Sequence, residues 1–337
     1  MLDVASRDRV NCFLLLRFKA KRMSAYQREV QIALEAVTSA AVLCQNVRQG
    51  DDFVALAKSD KSPVTVADFG SQAIVCRAIR AAFPRDLIIA EENADALRTE
   101  DQAPLLARVV AEVKKVVPSA DEAQALAWID AGISRDAAPR VWTLDPIDGT
   151  KGFLRGGQYA VALALIIDGQ IEVAALACPA LDDEGSIFWA VRGVGAFQRT
   201  AAGDKPIEVT STSNSAKAAL CESVESGHSD HDQSAKIAAA LQIARPSVRM
   251  DSQAKYAAVA RGDADIYLRL PTIAGYQEKI WDHAAGALVI AEAGGKVTDI
   301  DGQPLDFSLG SMLKNNRGVV ATNGRLHDAV IAAIAKA

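Results

Sequence analysis

The chain has 337 residues, of which 50% are hydrophobic and 23% charged, the balance of a globular protein with a substantial core. Its formal net charge is −5, which argues against the basic surface that nucleic-acid-binding proteins present to phosphates. No stretch approaches the roughly 20 unbroken apolar residues of a membrane span. The five cysteines are widely spaced, which favours free thiols in a reducing compartment. We therefore expect a cytoplasmic enzyme that binds neither nucleic acid nor membrane.

Residues 1–22 differ from the rest in composition, because they contain six basic residues and only two acidic ones. We prefer to interpret this segment as a disordered tail, or as the result of a start codon placed too early, with Met23 opening the true chain. An organelle-targeting presequence stays open, because Arg-rich and acid-poor segments are typical of one. The sequence predicts three parts. They are an atypical basic extension at 1–22, an α+β domain with an antiparallel sheet at 23–205, and an α/β domain at 206–337.

In chain order, apolar residues at helical spacing predict helices at 26–50, 68–83, 104–117 and 121–130, with a loop at 51–67. Strands are predicted at 87–90, 141–144, 160–167, 170–177 and 187–191, and Asp168-Gly169 predicts a tight hairpin. Beyond residue 205, strands are predicted at 220–223, 247–250, 266–270, 296–299 and 319–321. Helices at 231–242, 253–261, 282–293 and 326–335 lie between them, so sheets and helices are expected in alternating layers.

The segment from Asp145 to Thr150 is the most informative for chemistry. We predict that a strand ends at Asp145, that Pro146 forces a turn, and that a short helix opens at Gly149-Thr150. Two carboxylates, Asp145 and Asp148, on one rigid turn beside exposed backbone N–H groups can bind a hard cation and a phosphate together. An ordinary Asx-rich turn after a strand is the alternative.

Two distant acidic positions strengthen this prediction. Glu91 and Glu92 follow the buried strand 87–90, and Asp282 stands where a helix is predicted to begin. Each position also has a structural explanation, since acids are favourable at helix N-termini and Asp is a common N-cap.

Three elements, Ala-Glu-Glu at 90–92, Asp-Pro-Ile-Asp-Gly-Thr at 145–150 and Trp-Asp-His-Ala-Ala-Gly at 281–286, resemble the lithium-sensitive, magnesium-dependent phosphatases of the inositol monophosphatase superfamily. Segments 62–68, 148–159, 222–228, 251–256, 265–269 and 276–286 are similar to its 3′(2′),5′-bisphosphate nucleotidase branch. The resemblance runs from about residue 26 to the end. It implies a layered α/β/α/β/α sandwich and removal of the 3′-phosphate of adenosine 3′,5′-bisphosphate, with its phosphosulfate analogue as a further candidate substrate.

The resemblance also implies the roles of individual residues. Two or three Mg²⁺ ions would be held by the carboxylates of Glu91, Asp145, Asp148 and Asp282 and by the backbone carbonyl of Ile147. Asp68 and Thr150 would orient and deprotonate the attacking water, and Li⁺ would inhibit. The implied substrate-binding residues are Gly149, Thr150, His228, Ser252, Lys255 and Arg269.

The chemistry of these residue types agrees with the roles. Mg²⁺ prefers oxygen ligands, and hydrolysis of a phosphate monoester requires charge stabilisation on both the attacking and the leaving oxygen. Lys255 and Arg269 can neutralise a second phosphate, although a surface lysine and a strand-end salt bridge are the plain alternatives. His228 is expected to contact the purine rather than a metal, with a surface-loop histidine as the alternative.

Other interpretations are weaker or remain open. Gly193-Val194-Gly195 lacks the third glycine of a dinucleotide-binding turn, and no P-loop motif occurs. An inositol polyphosphate 1-phosphatase, or an enzyme with both specificities, would use the same metals and base on an inositol bisphosphate. A nucleotide-binding sensor is the non-enzymatic alternative, against which the presence of Asp68 and Thr150 argues. We expect a small-molecule substrate and a monomer.

Overall fold

The computed structural model describes residues 17–50, 55–57, 63–182, 185–224, 231–273 and 275–337. Besides the helical residues 17–25, the helices of these segments are α1 (Gln27–Gln49), α2 (Val66–Ala82), α3 (Ala103–Val116), α4 (Glu122–Asp130), α5 (Thr150–Leu154), α6 (His231–Ala240), α7 (Ala254–Arg261), α8 (Ala284–Glu292) and α9 (His327–Ile334). Short 3₁₀ turns lie at Ala96–Arg98, Glu100–Gln102, Ser215–Lys217 and Ile280–Asp282.

The strands fall into three sheets. In chain order they are β1 (Ala55–Ala57), β2 (Pro63–Thr65), β3 (Leu87–Ala90), β4 (Arg140–Asp148), β5 (Ala160–Ile167), β6 (Gln170–Cys178), β7 (Ser186–Val191), β8 (Gly195–Thr200), β9 (Gly203–Ile207), β10 (Leu220–Glu222), β11 (Val248–Arg249), β12 (Ile266–Arg269), β13 (Lys296–Thr298) and β14 (Val319–Thr322). The pair β1–β2 forms an antiparallel hairpin within the predicted loop 51–67, so that part of the prediction is wrong.

The larger sheet has seven strands in the order β3-β4-β5-β6-β7-β8-β9. Strands β3 and β4 are parallel, and every following pair is antiparallel. The predicted hairpin between β5 and β6 is confirmed, since Asp168 and Gly169 both have positive φ, 47° and 75°. The sequence did not predict β8 and β9.

The smaller sheet has five strands in the order β11-β10-β12-β14-β13. Its first three strands are parallel, and β14 is antiparallel to both neighbours. The parallel pairs need crossover connections, which α6 and α7 provide. The predicted alternation of strands and helices after residue 205 is therefore confirmed.

Helices cover both faces of each sheet and create three apolar clusters. The first packs α1, α2 and α3 on one face of the larger sheet. The second places α7 and α8 between the two sheets, and the third packs α6 and α9 on the outer face of the smaller sheet. The fold is therefore the predicted α/β/α/β/α sandwich. Burial on both faces also explains why β5 and β6 are almost continuously apolar.

Helix α1 is long and apolar enough to cross a membrane, judged by length and composition alone. However, 56% of its most apolar window is buried, and its apolar face contributes Leu34, Val37 and Leu43 to the core beside the larger sheet. Such contacts are typical of a helix that packs in a protein core.

Residues 17–25, part of which lies in the predicted basic extension, are helical. Arg22 forms an ion pair with Glu172 on β6, with Nη2 and Oε2 2.5 Å apart, and its Nε donates to the Arg192 carbonyl at 3.1 Å. Arg22 is therefore attached to the folded body, whereas the sequence placed it in a disordered extension.

Candidate active site

A cleft of about 500 Å³ lies where the end of β4 faces the start of α7, the end of β12 and the turn Ile280–Asp282. Ten predicted site residues line it: Glu91, Asp145, Ile147, Asp148, Gly149, Thr150, Ser252, Lys255, Arg269 and Asp282. Asp68 is buried directly behind Thr150. His228 is outside the described residues, so its role stays a prediction.

Strand β4 does not end at Asp145, as the sequence predicted, but continues to Asp148. Asp145 pairs with Ala162 of β5 and Asp148 with Ala160, so β4 contains one extra residue between the two pairs. Such a bulge re-aims side chains, and it accommodates Pro146, which has no N–H to pair. The Pro146 carbonyl accepts a hydrogen bond from Ser71 Oγ of α2 at 2.8 Å. The two aspartates are therefore presented by a braced bulge rather than by a turn after the strand.

Gly149 connects the bulge to α5, and two independent constraints select glycine here. Its φ is +85°, in the left-handed region. A Cβ at this position would also lie 2.9 Å from the Ser252 Cβ. The main chain at Gly149 and the segment before α7 can therefore approach closely.

Thr150 and Asp68 form the hydrogen-bonded pair that the sequence predicts. Thr150 Oγ1 lies 3.2 Å from Asp68 Oδ1 and 3.2 Å from the Ile147 carbonyl oxygen, two alternative acceptors for its single proton. The other Asp68 oxygen, Oδ2, accepts from the Thr65 backbone N–H at 2.8 Å and from its hydroxyl at 2.6 Å. This capping box starts α2 at Val66, two residues before the predicted start, and it fixes the Asp68 carboxylate.

Glu91 follows β3, which is parallel to β4, so the two strand ends lie at the same edge of the larger sheet. The neighbouring residue Glu92 is held through its main chain by the buried Gln72 side chain. Gln72 Oε1 accepts from the Glu92 N–H at 3.0 Å, and Nε2 donates to the Glu92 carbonyl at 2.7 Å. The segment carrying Glu91 is therefore fixed by main-chain bonds and does not form a helix N-terminus.

Asp282 ends a 3₁₀ turn and does not cap a helix, so the N-cap interpretation is wrong. Helix α8 begins at Ala284, with His283 in the cap position and no side-chain cap. The turn is held by the 310–313 segment, because the Ile280 N–H donates to the Ser311 carbonyl at 3.1 Å. Asp282 is thereby left facing the cleft.

The acidic residues of the cleft shift one another's pKa values. Burial raises the pKa of Asp148 and of Asp282, and the nearby Glu91 raises both further, while Arg269 acts in the opposite direction. Buried carboxylates that repel one another are stabilised by a divalent cation, and an all-oxygen donor set is the one that Mg²⁺ prefers. The residues present therefore fit a metal ion of this kind.

Glu278, Asp282 and His283 each bring a ligand atom within 4.8 Å of the others, which makes them a candidate metal-binding group. However, Glu278 Oε2 already accepts from Arg269 Nε at 2.7 Å and from His283 Nε2 at 3.1 Å. Burial would raise the pKa of Glu278, but Arg269 and His283 outweigh it and hold the pKa at about 2. We therefore expect Asp282, rather than Glu278, to face the metal.

The same contacts fix Arg269 and the His283 ring. Because a carboxylate only accepts, His283 Nε2 carries the proton toward Glu278, and Nδ1 accepts from the Tyr256 hydroxyl at 2.7 Å. Arg269 also reaches Asp282, with Nη2 and Oδ2 3.4 Å apart. Its guanidinium is thus oriented by two carboxylates before any ligand binds.

Lys255 is the second cation of the cleft and is only 4% exposed. Its Nζ donates to the Ser252 carbonyl at 2.8 Å and to the Met250 carbonyl at 3.3 Å, and it lies 5.1 Å from the centre of the Tyr267 ring. Burial lowers the pKa of Lys255, and the carboxylate of Asp148 opposes that shift. The amine is therefore held beside the acids instead of extending into solvent as a surface lysine would.

Gln253 and Glu278 lie within the family-like segments 251–256 and 276–286, but the sequence indicated no role for either of them. Both are buried, and both hydrogen-bond to predicted site residues or to their neighbours. Ser71 and Gln72 were also missed. A polar residue on the buried face of a predicted helix is the signal that could have indicated them.

The fold and the cleft define a phosphatase-type site of the layered α/β/α/β/α class. Residues 25–337 match the inositol monophosphatase family, and the chain belongs to that family. Among its relatives is a 3′(2′),5′-bisphosphate nucleotidase of Emericella nidulans, 46% identical over 93% of this chain and 99% of the relative. A 3′(2′),5′-bisphosphate nucleotidase of Schizosaccharomyces pombe is 44% identical over 92% of this chain and 96% of the relative.

Solved structures agree on the fold. The inositol monophosphatase from Anabaena superposes with a TM-score of 0.61 at 25% identity, covering 93% of this chain and 97% of that chain. An IMPase from Thermotoga maritima has a TM-score of 0.66 at 20% identity, covering 91% and 97%. The predicted family and sandwich architecture are therefore confirmed.

Proposed function

We propose that this chain is a magnesium-dependent phosphomonoesterase that removes the 3′-phosphate of adenosine 3′,5′-bisphosphate to give AMP. The observation that carries the proposal is the cleft itself, where the carboxylates of Glu91, Asp145, Asp148 and Asp282 face the buried Lys255 and the partly buried Arg269. The first set suits metal-assisted hydrolysis, and the second suits a phosphate that is bound but not cleaved. The relatives' shared name supports the choice of a bisphosphorylated nucleotide.

Two or three Mg²⁺ ions would be held by Glu91, Asp145, Asp148, Asp282 and the Ile147 carbonyl. Bound there, they would supply Lewis-acid stabilisation of the phosphate and lower the pKa of the attacking water. Substitution of Li⁺ for one of them would inhibit the enzyme, as the family resemblance implies.

Thr150 and Asp68 move the proton. The water donates to Thr150 Oγ1, while the Thr150 hydroxyl donates to Asp68 Oδ1, the acceptor 3.2 Å away. Two bonds from Thr65 hold the Asp68 carboxylate in place throughout. The backbone N–H groups of Gly149 and Thr150 would bind the phosphate that is cleaved.

Lys255 and Arg269 would hold the second phosphate, with Ser252 beside them and His228 at the purine. Arg269 can present two N–H groups in one plane, because Glu278 and Asp282 already orient its guanidinium. Pre-oriented cations lose little side-chain freedom when the ligand binds, and they favour bisphosphates over monophosphates.

Phosphate release with Mg²⁺ tests the proposal, with adenosine 3′,5′-bisphosphate, its phosphosulfate analogue, inositol 1,4-bisphosphate and inositol 1-phosphate compared at equal concentration. We expect the nucleotide bisphosphate to have the highest kcat/KM. Preference for inositol 1,4-bisphosphate would indicate that the same site belongs to an inositol polyphosphate 1-phosphatase. Binding of the nucleotide without release of phosphate from any substrate would indicate a sensor and contradict the enzyme.

A further inference from the structure

We propose that Gln253 is a positioning residue that fixes Asp148 relative to Asp282 and thereby sets the affinity of the metal site. The inference rests on the proposed function, because it takes these two aspartates as metal ligands. Asp148 belongs to the larger sheet and Asp282 to the segment before α8, so no short stretch of chain sets the distance between them. Gln253 is joined by hydrogen bonds to Asp148 and to residues on either side of Asp282.

Three polar groups of Gln253 make three contacts. The backbone N–H donates to Asp148 Oδ2 at 2.7 Å. The side-chain Nε2 donates to the Trp281 carbonyl at 2.8 Å, and Oε1 accepts from the Gly286 N–H at 3.1 Å. Trp281 precedes Asp282, and Gly286 follows it within the first turn of α8. The amide therefore holds the Asp282 segment on both sides while the main chain holds Asp148.

Local backbone geometry is adapted to this contact. Ser252 has a φ of +67°, which is uncommon for a residue with a side chain and orients the next peptide unit. On the other side, a Cβ at position 286 would lie 2.3 Å from the Tyr256 ring, so glycine lets α8 approach α7. The left-handed Ser252 and the missing Cβ of Gly286 together bring the three partners of Gln253 within reach.

The Gln253 side chain is 1% exposed, so its amide must have partners in any case. What distinguishes a positioning role is the identity of these partners: one is the predicted ligand Asp148, and the others lie on either side of the predicted ligand Asp282, in a distant segment. Groups that orient metal ligands from outside the coordination sphere change metal affinity or activity by about 10- to 100-fold when removed. If the amide were only a buried group with satisfied hydrogen bonds, its removal would change stability and leave metal affinity unchanged.

The test is Gln253→Met, which keeps the side-chain volume and the backbone N–H but removes both amide contacts. Mg²⁺ binding to the full chain is measured by titration calorimetry without substrate. We expect the dissociation constant for Mg²⁺ to rise about 10-fold or more. The Mg²⁺ concentration for half-maximal phosphate release should rise in parallel. An unchanged dissociation constant would overturn the proposal.

Gln198→Met is the matched control. Gln198 on β8 is also buried, and its Nε2 donates to Ser186 Oγ at 2.9 Å, but it does not line the cleft. We expect this variant to lower the thermal unfolding temperature and leave Mg²⁺ affinity as in the wild type. If both variants lose stability equally and neither loses Mg²⁺ affinity, Gln253 is a structural residue only.

Should Gln253→Met not fold, Gln253→Asn keeps a polar amide that is shorter by about 1.5 Å and cannot span both partners. It is expected to raise the dissociation constant in the same direction, and an unchanged value again contradicts the proposal. Because Mg²⁺ binding is measured without substrate, a wrong substrate assignment does not affect this result. Failure of the proposed function shows separately, as wild-type protein that releases no phosphate.

Discussion

The two sides of the cleft differ in the cations they carry and in how their charged groups are held. On the side of the larger sheet, Glu91, Asp145 and Asp148 follow strand ends or a bulge and are positioned through the main chain. On the side of the smaller sheet, Lys255 and Arg269 are positioned by contacts from their own charged groups to buried carbonyls and carboxylates. The acidic side suits metal-assisted chemistry, and the cationic side suits recognition.

Asp282 is the exception that joins the sides. It lies on the cationic side and forms an ion pair with Arg269, yet Asp148 and Glu91 are close enough to raise its pKa beyond the rise caused by burial. The comparison therefore teaches that chemistry and recognition should be separable by mutation everywhere except at this residue.

The largest loss of activity is expected from Asp145→Asn, on the acidic side of the cleft. Asp145 is 2% exposed at the β4 bulge, so the variant removes one charge of the metal site with little change of shape. Activity in saturating substrate should fall by more than about 100-fold, beyond the loss that a group outside the coordination sphere causes. Phosphate release measures the loss of activity, and calorimetry measures the loss of Mg²⁺ affinity.

Asp265→Asn is a control for the loss of a buried carboxylate. Asp265 is equally buried but accepts from the Ala219 N–H at 2.7 Å, outside the residues that line the cleft. It should reduce stability and leave the Mg²⁺ requirement unchanged. If Asp145→Asn binds Mg²⁺ and turns over at the wild-type rate, Asp145 is not a metal ligand.

Asp68→Asn should separate the proton transfer from metal binding. The amide oxygen can still accept from Thr65 and keep the helix cap, but the residue can no longer take the proton of Thr150. We expect kcat to fall by about 10²- to 10⁴-fold, the usual contribution of a general base. Mg²⁺ affinity measured by calorimetry should be close to that of the wild type.

Thr65→Ala is the complementary variant, because it removes the hydroxyl that contacts Asp68 Oδ2 and the Ala67 N–H. Loss of such a cap costs about 1 kcal/mol of stability, while the Asp68–Thr150 pair remains. Its kcat should therefore stay much closer to the wild type than that of Asp68→Asn. A weakened substrate affinity with unchanged maximal rate in Asp68→Asn would show that Asp68 is not the base.

The acidic side was largely predictable from sequence, because strand ends and turn residues are local signals. Apolar runs located β3 and the first part of β4; Glu91 follows β3 directly, and Asp145 and Asp148 lie in the last part of β4. The β4 bulge was not predictable, since it appears only in the register against β5, where Asp145 pairs with Ala162. The start of α2 was missed although Thr65 and Asp68 have capping-box spacing, a signal that was present.

The contacts of Gln253 and the pairing of Arg269 were not predictable, because the partners are not local in sequence, whereas Lys255 bonds to carbonyls only three and five residues before it. Gln253 contacts groups 28, 33 and 105 residues away, and no local pattern indicates such contacts. The pairing of Arg269 with Glu278 likewise depends on how the segment after β12 folds back. Sequence resemblance therefore identified Lys255 and Arg269, whereas only the structure shows how they are held.

A smaller effect, confined to recognition, is expected from Lys255→Met. The variant removes the buried charge and its bonds to the Ser252 and Met250 carbonyls. Hydrogen bonds to charged groups contribute about 1.5–3 kcal/mol, so the KM for the bisphosphate should rise by at least about 10-fold. The KM for 3′-AMP, which lacks the second phosphate, should change much less, and kcat should change little for either substrate.

Lys279→Met is the matched control, because Lys279 does not line the cleft and its Nζ contacts Met312 Sδ at 3.1 Å. It should leave the ratio of the two KM values as in the wild type. If Lys255→Met raises the KM for the bisphosphate and for 3′-AMP equally, Lys255 binds the phosphate that is cleaved. In that case the two sides of the cleft do not have separate roles.

The smallest effect concerns stability alone and lies outside the cleft, at His327. Burial, with a contribution from Lys296, lowers the pKa of His327 to about 4, and Thr298 and Thr322 hydrogen-bond its two ring nitrogens at 2.9 and 3.0 Å. Above the unfolded pKa of about 6.5 the ring is neutral in both states, so its contribution is fully present there. As the pH falls from about 6.5 toward 4, the unfolded chain takes a proton that the folded chain refuses, and stability is lost. Urea unfolding at about pH 7 and about pH 5 should therefore show a smaller loss in His327→Gln than in the wild type, with kcat at about pH 7 unchanged; equal losses would mean that His327 does not titrate on unfolding.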